Sequence, residues 1–255
     1  MRILDVKIVS WEQRAEGLFA LSLESREIAR ATKAGQFVNI RIGESTSPLL
    51  RRPFSISRTE GDLIEILFNV VGRGTEMLAR KKPGETLNLL GPLGVPFGLD
   101  GAYETAVIVA GGLGVAPFPL LAHDVRKKGK STLSFLGART AAHVTQEYLE
   151  NVHVATDDGS MGFHGTVVQL LEDFWMKEKP KRTKIFGCGP TRMMKALSEF
   201  ARGNRVECEL SLEGDMACGI GICQGCPVER TSGGKKYSLV CVEGPAFNCN
   251  DVILA

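Results

Sequence analysis

The residue types best suited to chemistry in this 255-residue sequence stand together in Met216-Ala217-Cys218-Gly219-Ile220-Gly221-Ile222-Cys223-Gln224-Gly225-Cys226-Pro227, with Cys241 further on. The spacing is C-x4-C-x2-C followed by a distant fourth cysteine, the arrangement that holds a [2Fe–2S] cluster on four thiolates. Cys218, Cys223, Cys226 and Cys241 are therefore read as metal ligands. Gly219, Gly221 and Gly225 suit this use, because glycine turns a loop tightly enough to aim backbone N–H groups at the cluster sulfurs. Two other readings compete. A structural zinc more often uses two separated C-x2-C pairs or Cys/His pairs. Free cysteines pack as small hydrophobes, but this glycine loop has little else apolar to bury. Cys208, Cys249 and the four histidines (His123, His143, His153, His164) have no ligand spacing and receive no role.

Phosphate chemistry is suggested twice. Arg51-Arg52-Pro53-Phe54-Ser55-Ile56-Ser57 combines guanidinium forks, which bind phosphate bidentately, with an aromatic ring and two hydroxyls. Alone, a strand with a charged start explains it as well. Gly72-Arg73-Gly74-Thr75 then precedes a helical stretch, Glu76 to Arg80, and a helix start exposes unpaired N–H groups suited to a phosphate. The second site opens with the buried-strand run Ala106 to Ala110 and Gly111-Gly112-Leu113-Gly114-Val115-Ala116-Pro117. This approaches the dinucleotide-binding fingerprint, with Pro117 in place of its third glycine and well suited to a first helical turn. The strand Leu133 to Gly137 leads to Ala138-Arg139, where an acid for the ribose is expected and absent. Asp157-Asp158-Gly159-Ser160 and Gly187-Cys188-Gly189-Pro190 follow strands, and strand C-termini are where open α/β sheets bind ligands; simple loop punctuation explains both equally.

These residues need elements to hold them. Residues 1–99 read as short strands between turn signals, Phe37 to Ile42 and Leu63 to Val71 being the clearest, which predicts a small antiparallel β-barrel. Residues 100–207 alternate strands with helical patterns and predict a parallel α/β domain. Residues 208–255 carry six of the seven cysteines and are expected to form the third domain. The fold class is thus multidomain, β plus α/β. A hydrophobic content of 44%, a charged content of 24% and a formal net charge of +2 give no basic excess to recruit nucleic acid or anionic lipid. Ala106 to Ala122 is apolar but shorter than the roughly 20 residues of a bilayer span and is broken by glycines and prolines. The first ten residues alternate as a strand does, and the seven cysteines suit a reducing compartment, so a cytoplasmic location is expected.

In order along the chain, Arg52-x-Phe54-Ser55, Gly72-x-Gly74-Thr75, Gly112-x-Gly114-x-Ala116-Pro117 and Gly187-Cys188-Gly189-Pro190 resemble the ferredoxin–NADP reductase superfamily. A cluster loop after the nicotinamide domain and an ending like Gly244-Pro245-Ala246-Phe247 are similar, within it, to the electron-transfer subunits of two-subunit, NAD-dependent (type B) dihydroorotate dehydrogenases. The resemblance implies FAD on the barrel, with Arg52 on its pyrophosphate, Phe54 against the ring system, Ser55 near the reactive edge, Gly74 and Thr75 at the phosphates, and Pro53 and Gly72 among the binding residues. It implies NAD(H) as co-substrate on the middle domain, with Gly112, Gly114 and Pro117 by the pyrophosphate and the turn Gly187 to Pro190 near the nicotinamide. Cys188 then lies beside the chemistry rather than acting as a nucleophile, and no residue is assigned as catalytic. The implied partner is an FMN-containing catalytic subunit that oxidises dihydroorotate in pyrimidine biosynthesis, two of each chain together. Electrons would pass from cluster to FAD to NAD+. One alternative is the small subunit of a ferredoxin-dependent NADH:NADP oxidoreductase, a family in which an aspartate replaces the first cluster cysteine, so Cys218 speaks against it. Another is a flavin-binding redox sensor, which the intact nicotinamide motifs oppose. Arg139 could favour the 2′-phosphate of NADP, yet no second basic residue flanks it, and the resemblance points to NAD.

Overall fold

The structure, a computed structural model, describes residues 1–43 and 47–254. Alternation of apolar and polar residues builds its first unit from β1 (Arg2–Ala15), β2 (Leu18–Glu24), β3 (Phe37–Arg41), β4 (Arg52–Glu60), β5 (Leu63–Asn69) and β6 (Thr86–Leu93). These pair antiparallel into a closed barrel in the order β1-β2-β5-β4-β3-β6. Two short helices, α1 (Arg26–Ala31) and α2 (Arg73–Ala79), interrupt the strand sequence. Leu21, Leu23, Val38, Ile40, Ile56, Ile64, Ile66 and Leu89 belong to one buried core. Phe37, Leu90 and Leu93 belong to a different one.

The second unit is a sheet of β7 (Thr105–Gly111), β8 (Ser131–Ala138), β9 (Val152–Thr156), β10 (Phe163–His164), β11 (Thr183–Cys188) and β12 (Glu207–Ser211), with α3 (Phe118–Lys127), α4 (Val167–Glu178) and α5 (Thr191–Asn204) between them. Neighbours are parallel in the order β10-β9-β8-β7-β11-β12. β7 is buried along nearly its whole length, as a parallel strand covered on both faces must be. Its alternate residues feed both cores, Ala106, Ile108 and Ala110 the first, Val107 and Val109 the second. The chain runs outward from β7 to β8 on one side and later to β11 on the other. The strand order therefore switches between β7 and β11, whose C-terminal ends lie side by side.

The remaining residues form β13 (Pro227–Arg230), β14 (Tyr237–Leu239), α6 (Val240–Glu243), β15 (Ala246–Asn248) and β16 (Val252–Ile253). β13, β14 and β16 make a small sheet, while β15 returns to the large one and pairs antiparallel with β12. Among the described residues no helix is long and apolar enough to cross a membrane.

Residues 94–104 join barrel to sheet and are held by a buried charge. Lys184 Nζ on β11 donates to Gly98 O at 2.8 Å and pairs with Glu209 Oε1 at 2.7 Å, and Glu209 Oε2 accepts from Gly98 N at 2.9 Å. Removing one partner of a buried pair strands the other, so Lys184→Met should cost about 3 to 5 kcal/mol in urea unfolding. A loss below about 1 kcal/mol would show that the pair behaves as a solvated one.

Candidate electron-transfer site

Arg51, just before β4, and Arg52, its first residue, have different surroundings. Arg51 is spent on the barrel, donating to Asn88 O at 2.9 Å, to Asn39 O at 3.2 Å and to Asn88 Oδ1. Arg52 donates through one Nη to the adjacent carbonyls Leu50 O at 2.7 Å and Arg51 O at 3.3 Å, and its guanidinium lies over the start of α2: a Cβ on Gly74 would stand 3.1 Å from Arg52 Nε and 3.6 Å from Cζ. The second guanidinium and the Gly72–Thr75 segment, separate in sequence, thus meet. Thr75 Oγ1 donates to Gly72 O at 2.9 Å and accepts from Val71 N and Gly72 N, which fixes that turn. Phe54 is buried, edge-on to Phe68 at 6.0 Å, and offers a flat ligand only a margin of its ring. Pro53 and Ser55 sit opposite Asn39 and Phe37 of β3.

At the switch point, β7 runs into a tight turn, Gly112–Val115, and Pro117 opens α3. A Cβ on Gly114 would stand 2.2 Å from Cys188 O and 2.7 Å from Gly189 N, so only glycine lets the two loops touch. Gly112, Gly114, Pro117 and the turn Gly187 to Pro190 are thereby gathered at the strand ends where such sheets take ligands. Cys188 is buried, and burial pushes its thiol up to about 12, with the charge of Glu213 adding to the effect. It is a neutral thiol at physiological pH. On the far side of β7, Arg139 is exposed, and the carboxylate residues Asp157 and Asp158 are tied to its strand end through Asp157 N to Ala138 O (3.0 Å) and Asp158 N to Arg139 O (3.3 Å).

In the cysteine loop, Cys218 Sγ accepts from the N–H groups of Ile220 and Cys223, both at 3.4 Å, and Cys226 Sγ accepts from Cys241 N at 3.4 Å. Burial raises the Cys218 thiol, but those N–H groups outweigh it and bring it down to about 6. Burial, then the neighbouring Cys226 thiol, push Cys241 up to about 12. The thiols fall into two pairs, Cys218 with Cys223 and Cys226 with Cys241. Among the described residues no three cysteine, histidine or carboxylate side chains converge on one ion. Two pairs rather than one tetrad match a donor set shared between two irons.

The loop rests on the barrel. Asn39 Nδ2 on β3 donates to Cys218 O at 3.2 Å, and a Cβ on Gly219, where φ is +74°, would stand 2.6 Å from that nitrogen. Val95 N donates to Gly244 O at 2.6 Å and Leu212 N to Pro245 O at 2.9 Å, seaming all three units. Sequence reasoning passed over Asn39; its one signal was a lone amide in the apolar run Phe37-Val38-Asn39-Ile40. Facing outward from the loop, Ile222 is 77% exposed and Val242 46%.

Residues 213–253 match the model of the iron–sulfur cluster binding domain of dihydroorotate dehydrogenase B. Over almost the whole chain, the sequence is similar to the dihydroorotate dehydrogenase B (NAD(+)) electron transfer subunits of Desulforamulus reducens (37% identical, covering 96% of each chain) and Enterococcus faecalis (39%, 97% of each). This chain belongs to that family. It is an electron transfer subunit of an NAD-dependent oxidoreductase, and its C-terminal segment is an iron–sulfur cluster binding domain. Among solved structures it is similar to an NADH-dependent reduced ferredoxin-NADP oxidoreductase described for flavin-based electron bifurcation, with a TM-score of 0.88 and 30% identity over 98% of this chain and 90% of that one. Phthalate dioxygenase reductase shares the fold (TM-score 0.65, 17% identity, 94% of each chain). The three-part layout is therefore common to several reductases, and the family rests on the sequence relatives.

A neutral, buried thiol cannot shuttle protons, so Cys188→Ala should leave the kcat/KM of NADH oxidation within about tenfold of wild type, with no change in its pH profile. A loss of 10²-fold or more, the size of a proton-transfer group's contribution, would put the thiol in the chemistry.

Proposed function

We propose that this chain carries electrons from an FMN-containing dihydroorotate dehydrogenase subunit to NAD+, using a [2Fe–2S] cluster on Cys218, Cys223, Cys226 and Cys241, FAD on the barrel, and a nicotinamide site at the β7–β11 switch point. The observation that carries this reading is the seat of the cysteine loop on β3, directly beside the strand that bears Arg52 to Ser55. When bound, FAD exchanges a hydride with nicotinamide and single electrons with an iron–sulfur cluster, which is the reason to hold both on one chain.

The protein's own residues supply binding and orientation. Arg52 sets a fixed positive charge at the start of α2, where a pyrophosphate with Gly72, Gly74 and Thr75 around it would be neutralised. Gly112 and Gly114 leave the crevice open to a second pyrophosphate, Pro117 starts the helix behind it, and the turn Gly187, Cys188, Gly189 and Pro190 walls the nicotinamide end. The N–H groups of Ile220, Cys223 and Cys241 stabilise negative charge on sulfur. Ile222 and Val242 present an apolar surface on the outer side of the loop, suited to the catalytic subunit in a cytoplasmic assembly of two of each chain.

Two variants test the assignments separately. Cys226→Ser should lose most of the iron and the red-brown colour while keeping FAD, whereas Cys249→Ser should keep its iron; equal iron loss in both would mean the ligand set is wrong. Loss of a charge-assisted contact typically costs about 1.5 to 3 kcal/mol, so Arg52→Ala should bind FAD roughly ten- to a hundredfold more weakly. Full flavin retention in Arg52→Ala would remove Arg52 from the pyrophosphate site.

A further inference from the structure

We infer that Asn39 is a positioning residue that clamps the cysteine loop to the flavin barrel and sets the reduction potential of the cluster; this rests on the reading of Cys218 as a ligand. Asn39 stands among buried apolar residues of β3 and is itself 0% exposed. Burying an amide is costly unless both its ends are hydrogen-bonded. Here only one is: Nδ2 donates to Cys218 O, and Oδ1 has no partner among the described residues. A leucine has the same number of heavy atoms and the same branching, with no orphaned acceptor. Packing alone therefore does not account for the amide.

The geometry of the contact is one-way. The Cys218 carbonyl only accepts, so it fixes which end of the amide faces the loop; a flipped side chain would oppose two acceptors. Gly219 makes the approach possible, since any Cβ there would collide with Nδ2 at 2.6 Å. The peptide unit so held, Cys218–Gly219, immediately precedes the one whose Ile220 N–H donates to Cys218 Sγ, so the contact fixes the start of the turn that aims N–H groups at that sulfur. On its other side Asn39 is paired with Pro53, flanked on β4 by Arg52 and Phe54. One side chain thus links the first cysteine ligand to the strand assigned to the flavin. The positive end of its dipole points at the loop, which favours the reduced, more negative cluster, as donors around iron–sulfur sites do.

The test uses the purified holo chain under anaerobic conditions, with potentiometry followed by EPR and stopped-flow mixing with NADH. Asn39→Leu should keep its FAD and bleach it with NADH at the wild-type rate. Its cluster midpoint potential should fall, its EPR g-values should shift, and cluster reduction after flavin bleaching should slow by about tenfold or more, the size of effect seen when outer partners of metal ligands are removed. Gly219→Ala, which displaces the same contact from the loop side, should move the potential in the same direction and decides the matter if Asn39→Leu does not fold. Loss of the cluster with FAD retained also supports the clamp. An unchanged potential and transfer rate, with only Tm lowered, would reduce Asn39 to packing and overturn the inference. Loss of FAD beside an unaltered cluster would overturn it too, by giving Asn39 to the flavin. A wild-type chain without a [2Fe–2S] spectrum would sink the ligand assignment itself, an outcome distinct from these.

Discussion

The whole arrangement depends on a hydrophobic core that no single unit owns. Phe37, Leu90 and Leu93 come from the barrel, Val107, Val109 and Leu210 from the parallel sheet, and Cys226, Val240 and Cys241 from the cysteine region, all in one buried cluster. Carriers of hydride and single electrons work only at close and constant separation. A protein that merely tethered three domains would let that separation drift. Here each unit needs the others to bury its apolar surface, so spacing is set by close packing, which deforms little. The backbone seams at Val95–Gly244 and Leu212–Pro245, and the charge of Lys184 under residue 98, add direction to a core that is otherwise non-directional.

Charge is handled in opposite ways at the two redox ends. In the crevice proposed for nicotinamide, the Cys188 thiol is kept neutral by burial, which would leave hydride exchange without a competing nucleophile. In the cysteine loop, backbone N–H groups pull Cys218 toward the thiolate that a metal requires. The end of that proposed site beside Arg139 shows a milder version. Arg139 alone could attract a 2′-phosphate, but an exposed charge is worth at most about 1 kcal/mol, and Asp157 and Asp158 share its loop cluster. That balance agrees with the NAD-dependence of the family.

Local signals made much of this legible in the sequence. The cysteine spacing needs only one loop to be recognised, and the glycine motifs mark turns that any backbone would have to make. The antiparallel barrel and the parallel sheet followed from the change of periodicity near residue 100, and both are present. What stayed hidden was every contact between distant segments. The return of Ala246–Asn248 to the edge of the large sheet involves three residues with no strand-like run of their own. Arg51 and Arg52 look alike in sequence, and only the barrel shows that Arg51 reaches across to β3 and β6 while Arg52 bonds its own neighbours' carbonyls and covers Gly74. Asn39 and Cys218 are 179 residues apart, so no local pattern could have joined them.

The central claim is that one chain holds flavin and cluster in electronic contact, and an anaerobic titration of the purified chain with NADH, followed by visible absorbance and EPR, tests it most directly. With a flavin that takes two electrons and a cluster that takes one, uptake should reach about three electrons per chain, with flavin bleaching and the EPR signal of a reduced [2Fe–2S] centre appearing in the same titration. Uptake that stops at two electrons with the cluster still oxidised, or a chain that binds iron but no flavin, would contradict it.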